Sequence, residues 1–264
     1  MEHDVDSIGG SMKACRTLFA ALAAFGFVLL SALCPPGGAQ AGSEIGVGQF
    51  SAGAPGGNLP AGWNPLTFKN IEKHTEYFLV KDEDTVVIKA VSQASASGLI
   101  REIQIDPQEY PIVQWRWKVS NILRKGDVSR KEGDDYPARI YITFAYDPQK
   151  LGFVERVKYA IARSFYGLNP PLAAINYIWE SRAPQGTLIA NPYTRRTMML
   201  VVESGAEKLN QWVKEERNVY QDYKKAFGEE PPRISGVAVM TDTDNTGESA
   251  TAYYGDILFK KVEN

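Results

Sequence analysis

The residues best suited to chemistry lie in one short stretch near the C-terminus, residues 241–247. It holds two carboxylates (Asp242 and Asp244), one amide (Asn245), three threonine hydroxyls and a glycine. Carboxylate and amide oxygens coordinate hard cations and hydrogen-bond the hydroxyls of a sugar, and glycine permits a tight turn. The stretch therefore predicts a cation site, a site for a polyhydroxylated ligand, or a hairpin turn. An EF-hand does not fit, because Tyr253 stands where the bidentate glutamate belongs.

A second acidic cluster precedes a strand-like run. Asp134 and Asp135 are adjacent, and Arg139 follows on the polar face of the next predicted strand. Neighbouring carboxylates raise each other's pKa unless a cation is near, so the guanidinium is the expected partner. A solvated turn with a surface ion pair is the alternative interpretation.

A fifth acid, Asp256, lies in the last strand-like run, on the same predicted face as Tyr254. A carboxylate among apolar neighbours is costly to bury unpaired, so we expect Arg139 or a bound cation to contact it. The tyrosine is a candidate stacking surface for a sugar. The predicted ligand site comprises Asp134, Asp135, Arg139, Asp242, Asp244, Asn245, Tyr254 and Asp256.

Strands must position these residues, and the clearest of them is residues 112–119. Val113, Trp115 and Trp117 alternate with polar residues, which is typical of a half-buried antiparallel strand. The tryptophans favour core packing over a sugar platform. Further strands are predicted at residues 47–50, 77–80, 85–91, 97–105, 138–146, 175–179, 197–202, 233–240 and 249–260, with a turn at 191–194.

Two segments change to helical spacing. Residues 151–165 carry apolar residues at helical intervals, and Gly167 ends that run. Ser204 and Glu207 have the spacing of a capping box, and an apolar stripe follows as far as Gly228, with a break near Glu215 as one option. The nine or ten strands, the two helical insertions and the lack of βαβ alternation predict an antiparallel β-sandwich, a jelly roll of the galactose-binding-like kind.

The N-terminus has the pattern of an export signal. A basic residue pair, Lys13 and Arg16, precedes an uncharged run over residues 17–33, and a small-residue motif ends at Ala41. We therefore expect a signal peptide over residues 1–41, a single domain over 42–264, and a periplasmic or secreted protein. Met12 is an alternative start.

Composition excludes several classes of function. Both cysteines lie within residues 1–41, so the remaining chain has no thiol nucleophile and no cysteine-ligated zinc site, and His74 is its one imidazole. The formal net charge is −2 and no long basic block occurs, which argues against nucleic-acid binding. No second long apolar run exists, so we expect no membrane span after signal cleavage.

Several of these motifs together resemble a known family. They are Asp134–Asp135, residues 191–194 (NPYT), 217–219 (RNV), 222–223 (DY), 227–228 (FG), 240–247 (MTDTDNTG) and 254–257 (YGDI). They are similar to the bacterial family called domain of unknown function 3047. That resemblance implies an exported protein and supplies no activity. The ending GDILF also resembles the last strand of galactose-binding-like carbohydrate-binding modules.

Three functional hypotheses follow. The first is an exported, non-catalytic protein that binds a glycan or another polyhydroxylated ligand of the cell envelope through the acidic site. The second is an envelope structural or assembly protein stabilised by calcium. The third is a glycoside hydrolase, which would need two acids facing each other across a cleft.

Overall fold

A computed structural model describes residues 42–145 and 173–262 of the chain. Most of the regular structure is strand, as the alternating pattern predicts. The described residues form fourteen strands: β1 (Glu44–Gly48), β2 (Trp63–Leu66), β3 (Glu76–Asp82), β4 (Thr85–Gln93), β5 (Ala96–Ile105), β6 (Ile112–Val119), β7 (Ala138–Phe144), β8 (Ala173–Glu180), β9 (Leu188–Asn191), β10 (Thr194–Ser204), β11 (Val213–Asn218), β12 (Ile234–Asp242), β13 (Ser249–Tyr254) and β14 (Ile257–Lys260). One α-helix, α1 (Val219–Phe227), and two short 3-10 helices (Phe50–Ala52 and Lys131–Gly133) accompany them.

The strands form two seven-stranded sheets. Sheet A has the order β1-β14-β6-β13-β4-β3, and β11 pairs with the other edge of β6. Sheet B has the order β2-β5-β12-β7-β8-β10-β9. All pairs are antiparallel except β8 with β10, which run parallel. The predicted antiparallel β-sandwich is confirmed, with more strands than the nine or ten expected.

Aromatic side chains join the two sheets. Trp115 and Trp117 of β6 are buried, with exposed fractions of 3% and 0%. Their rings contact Tyr177 and Trp179 of β8, with centroid distances of 5.2 and 6.0 Å. Offset and tilted aromatic pairs at this separation add to the free energy of burial. The tryptophans are therefore core residues, as the alternating pattern predicts.

The long helix predicted from Ser204 to Gly228 is wrong over its first half. Ser204 ends β10, and residues 213–218 form β11, which pairs antiparallel with β6. The helix begins at Val219, after Asn218 accepts a hydrogen bond from the backbone N–H of Gln221, and Gly228 ends it with φ of 73°. The open edge of β6 gives residues 213–218 hydrogen-bond partners that a helix would have to supply locally.

The single strand predicted over residues 249–260 is broken in two. β13 ends at Tyr254 and β14 begins at Ile257, and both pair with the same edge of β6. Because the break shifts the alternation, Tyr254, Ile257 and Phe259 are all buried in the core. Asp256 and Tyr254 therefore do not share a face, contrary to the sequence prediction.

The remaining sequence predictions divide as follows. Residues 44–48, rather than 47–50, form the first strand, and Phe50 begins a 3-10 helix. Residues 191–194 connect β9 to β10 as the predicted turn. The helix predicted at 151–165 lies outside the described residues. Within the described ranges, no helix has the length and apolarity needed to cross a bilayer.

Candidate functional site

The acidic motifs meet at one end of sheet B because β7 and β12 are antiparallel neighbours. Arg139 pairs with Met240 across these strands. Residues just before β7 therefore lie beside residues just after β12, although more than 100 positions separate them. The backbone N–H of Tyr136 donates to Asp242 Oδ1 at 3.3 Å, which extends the contact beyond the strands. We call Asp134, Asp135, Arg139, Asp242 and Asp244 the acidic cluster.

Arg139 and Asp242 form a buried ion pair at the centre of the acidic cluster. Their side chains are 5% and 2% exposed, and Arg139 Nη2 donates to Asp242 Oδ2. The guanidinium lies 5.1 and 5.3 Å from the ring centroids of Tyr136 and Tyr141. Arg139 Nε and Nη1 are buried without a hydrogen-bond partner. The direct partner of Arg139 is therefore Asp242, and not the adjacent Asp134 and Asp135 for which the sequence predicts it.

Asp134 and Asp135 contact different parts of the chain. Asp135 accepts from the backbone N–H groups of Asn245 and Thr246, at 3.3 and 2.6 Å, and so holds the loop after β12. Asp134 accepts from Tyr136 Oη at 3.0 Å and from Asn191 Nδ2 at 2.9 Å. The two adjacent carboxylates thus bring the loop after β12 and the turn after β9 to the same place.

The loop at residues 243–247 is fixed from inside. Thr243 is fully buried, and its Oγ1 lies 2.8 Å from Ser92 Oγ and accepts from the backbone N–H of Ser95 at 3.3 Å. Gly247 has φ of 69° and donates its backbone N–H to the Thr243 carbonyl at 2.9 Å. Glycine adopts this left-handed conformation without strain. The loop is therefore an ordered turn held by hydrogen bonds, and Thr243 has a structural role in it.

Three carboxylates of the acidic cluster are close enough to share one ion. One oxygen each of Asp135, Asp242 and Asp244 lies within 4.8 Å of the other two. Burial raises the pKa of Asp242 well above its ordinary value, the Arg139 charge lowers it, and the neighbouring carboxylates raise it further. Burial and then the Asp135 carboxylate raise the pKa of Asp244. The arrangement favours a proton or a hard cation among these oxygens.

The solvent side of the acidic cluster is formed by Asp244, Asn245 and Tyr193. Asp244 is partly exposed, Asn245 is exposed, and Tyr193 has 56% of its surface exposed. Asn245 Nδ2 donates to Tyr193 Oη at 2.9 Å and to the Lys131 carbonyl at 3.0 Å. The Lys131 ammonium lies 5.1 Å from the Tyr193 ring centroid. We call Asp244, Asn245 and Tyr193 the rim.

Two residues of the predicted site have other roles. Tyr254 is fully buried, so it has no face to stack on a ligand; its hydroxyl donates to the Met240 carbonyl at 2.6 Å and lies 2.8 Å from Thr241 Oγ1. Asp256 accepts from the backbone N–H of Ser51 at 2.9 Å and from its hydroxyl. The partner of Asp256 is thus Ser51, and not the expected Arg139. The other six predicted residues converge on the acidic cluster and its rim.

Three residues of the observed site, Tyr193, Tyr136 and Asn191, are not among the site residues predicted from the sequence. Residues 191–194 form the predicted turn, and in addition Asn191 contacts Asp134 and Tyr193 contacts Asn245. The sequence feature that could indicate their role is the turn at residues 191–194 (NPYT), which combines polar side chains with a tyrosine. The sequence does not show that this turn lies beside Asp134, a contact that the hydrogen bond from Asn191 Nδ2 to the carboxylate establishes.

Comparison with known proteins identifies a family and little else. Residues 61–258 match the model of a family described as "Protein of unknown function (DUF3047)". No curated protein matches the chain. A structure of arabinose-bound MgGH51 α-L-arabinofuranosidase aligns at 10% identity and a TM-score of 0.40, covering 82% of this chain and 26% of that one.

A second similar structure is the Spr0440 glycoside hydrolase domain, Endo-D, from Streptococcus pneumoniae R6. It aligns at 9% identity and a TM-score of 0.31, covering 76% of this chain and 22% of that one. The chain thus spans about a quarter of the length of each structure. Similarity at this level supports no inference about function.

Proposed function

This chain belongs to the DUF3047 family of proteins of unknown function, and we propose that it is an exported, non-catalytic protein that binds a glycan at the rim of its acidic cluster. The ligand is polyhydroxylated and belongs to the cell envelope. Export is supported by the basic, apolar and small-residue segments within residues 1–41. The ligand class is supported by the chemistry of the rim.

The observation that carries the proposal is an exposed aromatic ring beside exposed polar groups. Tyr193 is 56% exposed and is hydrogen-bonded through its hydroxyl to Asn245, so its ring orientation is restrained. A restrained ring covers the C–H face of a sugar at low entropic cost, and adjacent carboxylate and amide oxygens bind the hydroxyls around that face. Asn245 offers such an oxygen beside the tyrosine, and Asp244 precedes it on the same loop.

The geometry favours binding over glycoside hydrolysis. A glycosidase requires two carboxyl groups separated by a cleft that admits the scissile bond. Here Asp135 and Asp242 are 1% exposed and lie directly against Asp244, with oxygens within 4.8 Å. These acids face one another, whereas hydrolysis needs them to face a substrate.

A glycan panel tests this function. The chain from residue 42 onward is expected to bind at least one envelope glycan, and Tyr193→Ala is expected to weaken that binding by at least about 10-fold, which is the size of a lost aromatic contact. Tyr193→Phe keeps the ring and is expected to retain most of the affinity. Phe78→Ala is the matched control, because Phe78 is also an exposed aromatic, at 47%, on β3 of the other sheet.

Either of two results would reject the proposal. One is a wild-type protein that binds nothing on a panel of bacterial envelope polysaccharides. The other is binding that Tyr193→Ala and Phe78→Ala reduce equally, because the rim would then have no special part in it.

A further inference from the structure

The acidic cluster carries more negative charge than its contacts balance. Asp134, Asp135 and Asp242 are 7%, 1% and 1% exposed, and an oxygen of Asp244 lies within 4.8 Å of oxygens of Asp135 and Asp242. Of the ion pairs between described residues, only the one from Arg139 to Asp242 involves these four acids. Four carboxylates therefore share one guanidinium. Buried carboxylates without matching positive charge are costly, and they take up protons or a cation.

A second observation at the same place concerns Arg139 itself. The residue is 4% exposed, and its Nη2 bonds Asp242, so the guanidinium is directed into the acidic cluster. Its Nε and Nη1 are nevertheless without a hydrogen-bond partner. A buried N–H group left without an acceptor is rare and costs free energy, which indicates an oxygen atom beside Arg139 that the polypeptide does not itself supply. Water bound to a cation would supply such an oxygen.

We propose that Asp135, Asp242 and Asp244 bind one calcium ion, whose bound water or ligand oxygen also accepts a hydrogen bond from Arg139. Asp242 then bridges the ion and the guanidinium. Asp135 connects the ion to the backbone of the loop through Asn245 and Thr246, so calcium binding stabilises that loop. The partly exposed Asp244 provides the route by which the ion enters.

The donor set selects among metals. All three ligands are carboxylate oxygens, which excludes a preference for soft or borderline metals that take sulfur and imidazole. Magnesium keeps several waters in strict octahedral geometry, which a site with two nearly buried carboxylates accommodates poorly. Calcium accepts six to eight oxygens in an irregular arrangement and loses its water more readily. Calcium is therefore the expected occupant.

The test titrates CaCl₂ into the chain from residue 42 onward after treatment with EDTA, by isothermal calorimetry. We expect one ion per chain and a weaker or absent response to MgCl₂. At a calcium concentration about 100 times the Kd, the melting temperature should rise by about 5–10 °C. No heat and no thermal shift with the wild-type protein would overturn the proposal.

Two variants locate the ion and one serves as control. Asp244→Asn and Asp135→Asn are each expected to reduce calcium affinity at least 10-fold. Asp256→Asn changes an acid that bonds Ser51, away from the acidic cluster, and this variant should bind calcium like the wild type. Affinity unchanged in both cluster variants, or reduced equally in Asp256→Asn, would contradict the assignment.

Melting in EDTA separates loss of the ion from damage to the fold. Without calcium, Asp244→Asn removes a repelling charge, so its melting temperature should equal or exceed that of the wild type. With calcium the order should reverse. A variant less stable in both conditions would show a purely structural role for Asp244 and would reject the site. Because calcium alone is the probe, this proposal and glycan binding at Tyr193 can fail independently.

Discussion

Removing the one guanidinium of the acidic cluster should destabilise the protein more than removing one of its carboxylates. Arg139→Met leaves four carboxylates with no ion-pair partner among the described residues, and it also removes the stacking of the guanidinium on Tyr136 and Tyr141. Breaking a buried ion pair by deleting one partner costs about 3–5 kcal/mol. A domain of this kind is stable by about 5–15 kcal/mol, so Arg139→Met should be severely weakened.

Asp242→Asn should cost less, about 1–3 kcal/mol, although it breaks the same pair. The asparagine oxygen can still accept from the backbone N–H of Tyr136, and the change relieves repulsion from the neighbouring carboxylates. The double variant Arg139→Met/Asp242→Asn leaves no unpaired partner of the original bond. The decrease in its free energy of unfolding should therefore be smaller, by about 1–3 kcal/mol, than the sum of the decreases in the two single variants.

Urea denaturation of the four proteins in EDTA at pH 7 measures this cycle, with EDTA present so that bound calcium does not compensate the lost charge. The slope of unfolding free energy against urea should be the same in all four, because the exposed surface is unchanged. A coupling free energy below about 0.5 kcal/mol would refute the reasoning. So would an Arg139→Met protein no less stable than Asp242→Asn.

Two further predictions concern residues outside the cation site. Burial and the neighbouring Glu203 carboxylate raise the pKa of Glu215 to about 7. Between about pH 4.5 and 7 the folded protein therefore holds a proton on Glu215 that the unfolded chain has released. The free energy of unfolding should fall by about 1–3 kcal/mol as the pH rises from about 4.5 to 8. Glu215→Gln keeps an oxygen acceptor for Trp117 Nε1 and should lack this part of the pH dependence in urea titrations; an identical pH profile would contradict the prediction. Tyr254→Phe should cost about 1–2 kcal/mol by removing the hydrogen bond to the Met240 carbonyl, without changing calcium or glycan binding, and a selective loss of binding would restore Tyr254 to the site.

The strands were predictable where alternation and burial agree. The pattern around Trp115 and Trp117 gives β6 with its true bounds, because a strand with one buried face repeats every two residues. The same reasoning failed for residues 213–218, because Val213, their one apolar residue, also fits the helical stripe predicted on both sides of them. Only the free edge of β6, which is remote in sequence, decides in favour of a strand there. Local periodicity contains no information about such an edge.

The acidic residues of the site could be predicted from the sequence, whereas its exposed aromatic residue, Tyr193, could not. Asp134, Asp135, Arg139 and Asp242 stand out by residue type, and the antiparallel pairing of β7 with β12 gathers them. The sequence pattern predicts one strand through Tyr254 and Asp256, which makes Tyr254 a candidate stacking residue. The break after Tyr254 instead turns its side chain into the core. Because the strand is interrupted at residues 255 and 256, Tyr254 is buried where the uninterrupted pattern predicts an accessible side chain.

The distribution of exposure within the acidic cluster connects its two proposed ligands. Its inner members, Asp135, Asp242 and Arg139, are nearly inaccessible and are held by the backbone, so they can bind something small and permanent. The rim residues Asn245 and Tyr193 are exposed and bonded to each other, so they can bind something large and exchangeable. Asp244 belongs to both groups. An ion bound below it would fix the loop that presents Asn245, and the rim would then meet its ligand already ordered, which lowers the entropic cost of binding.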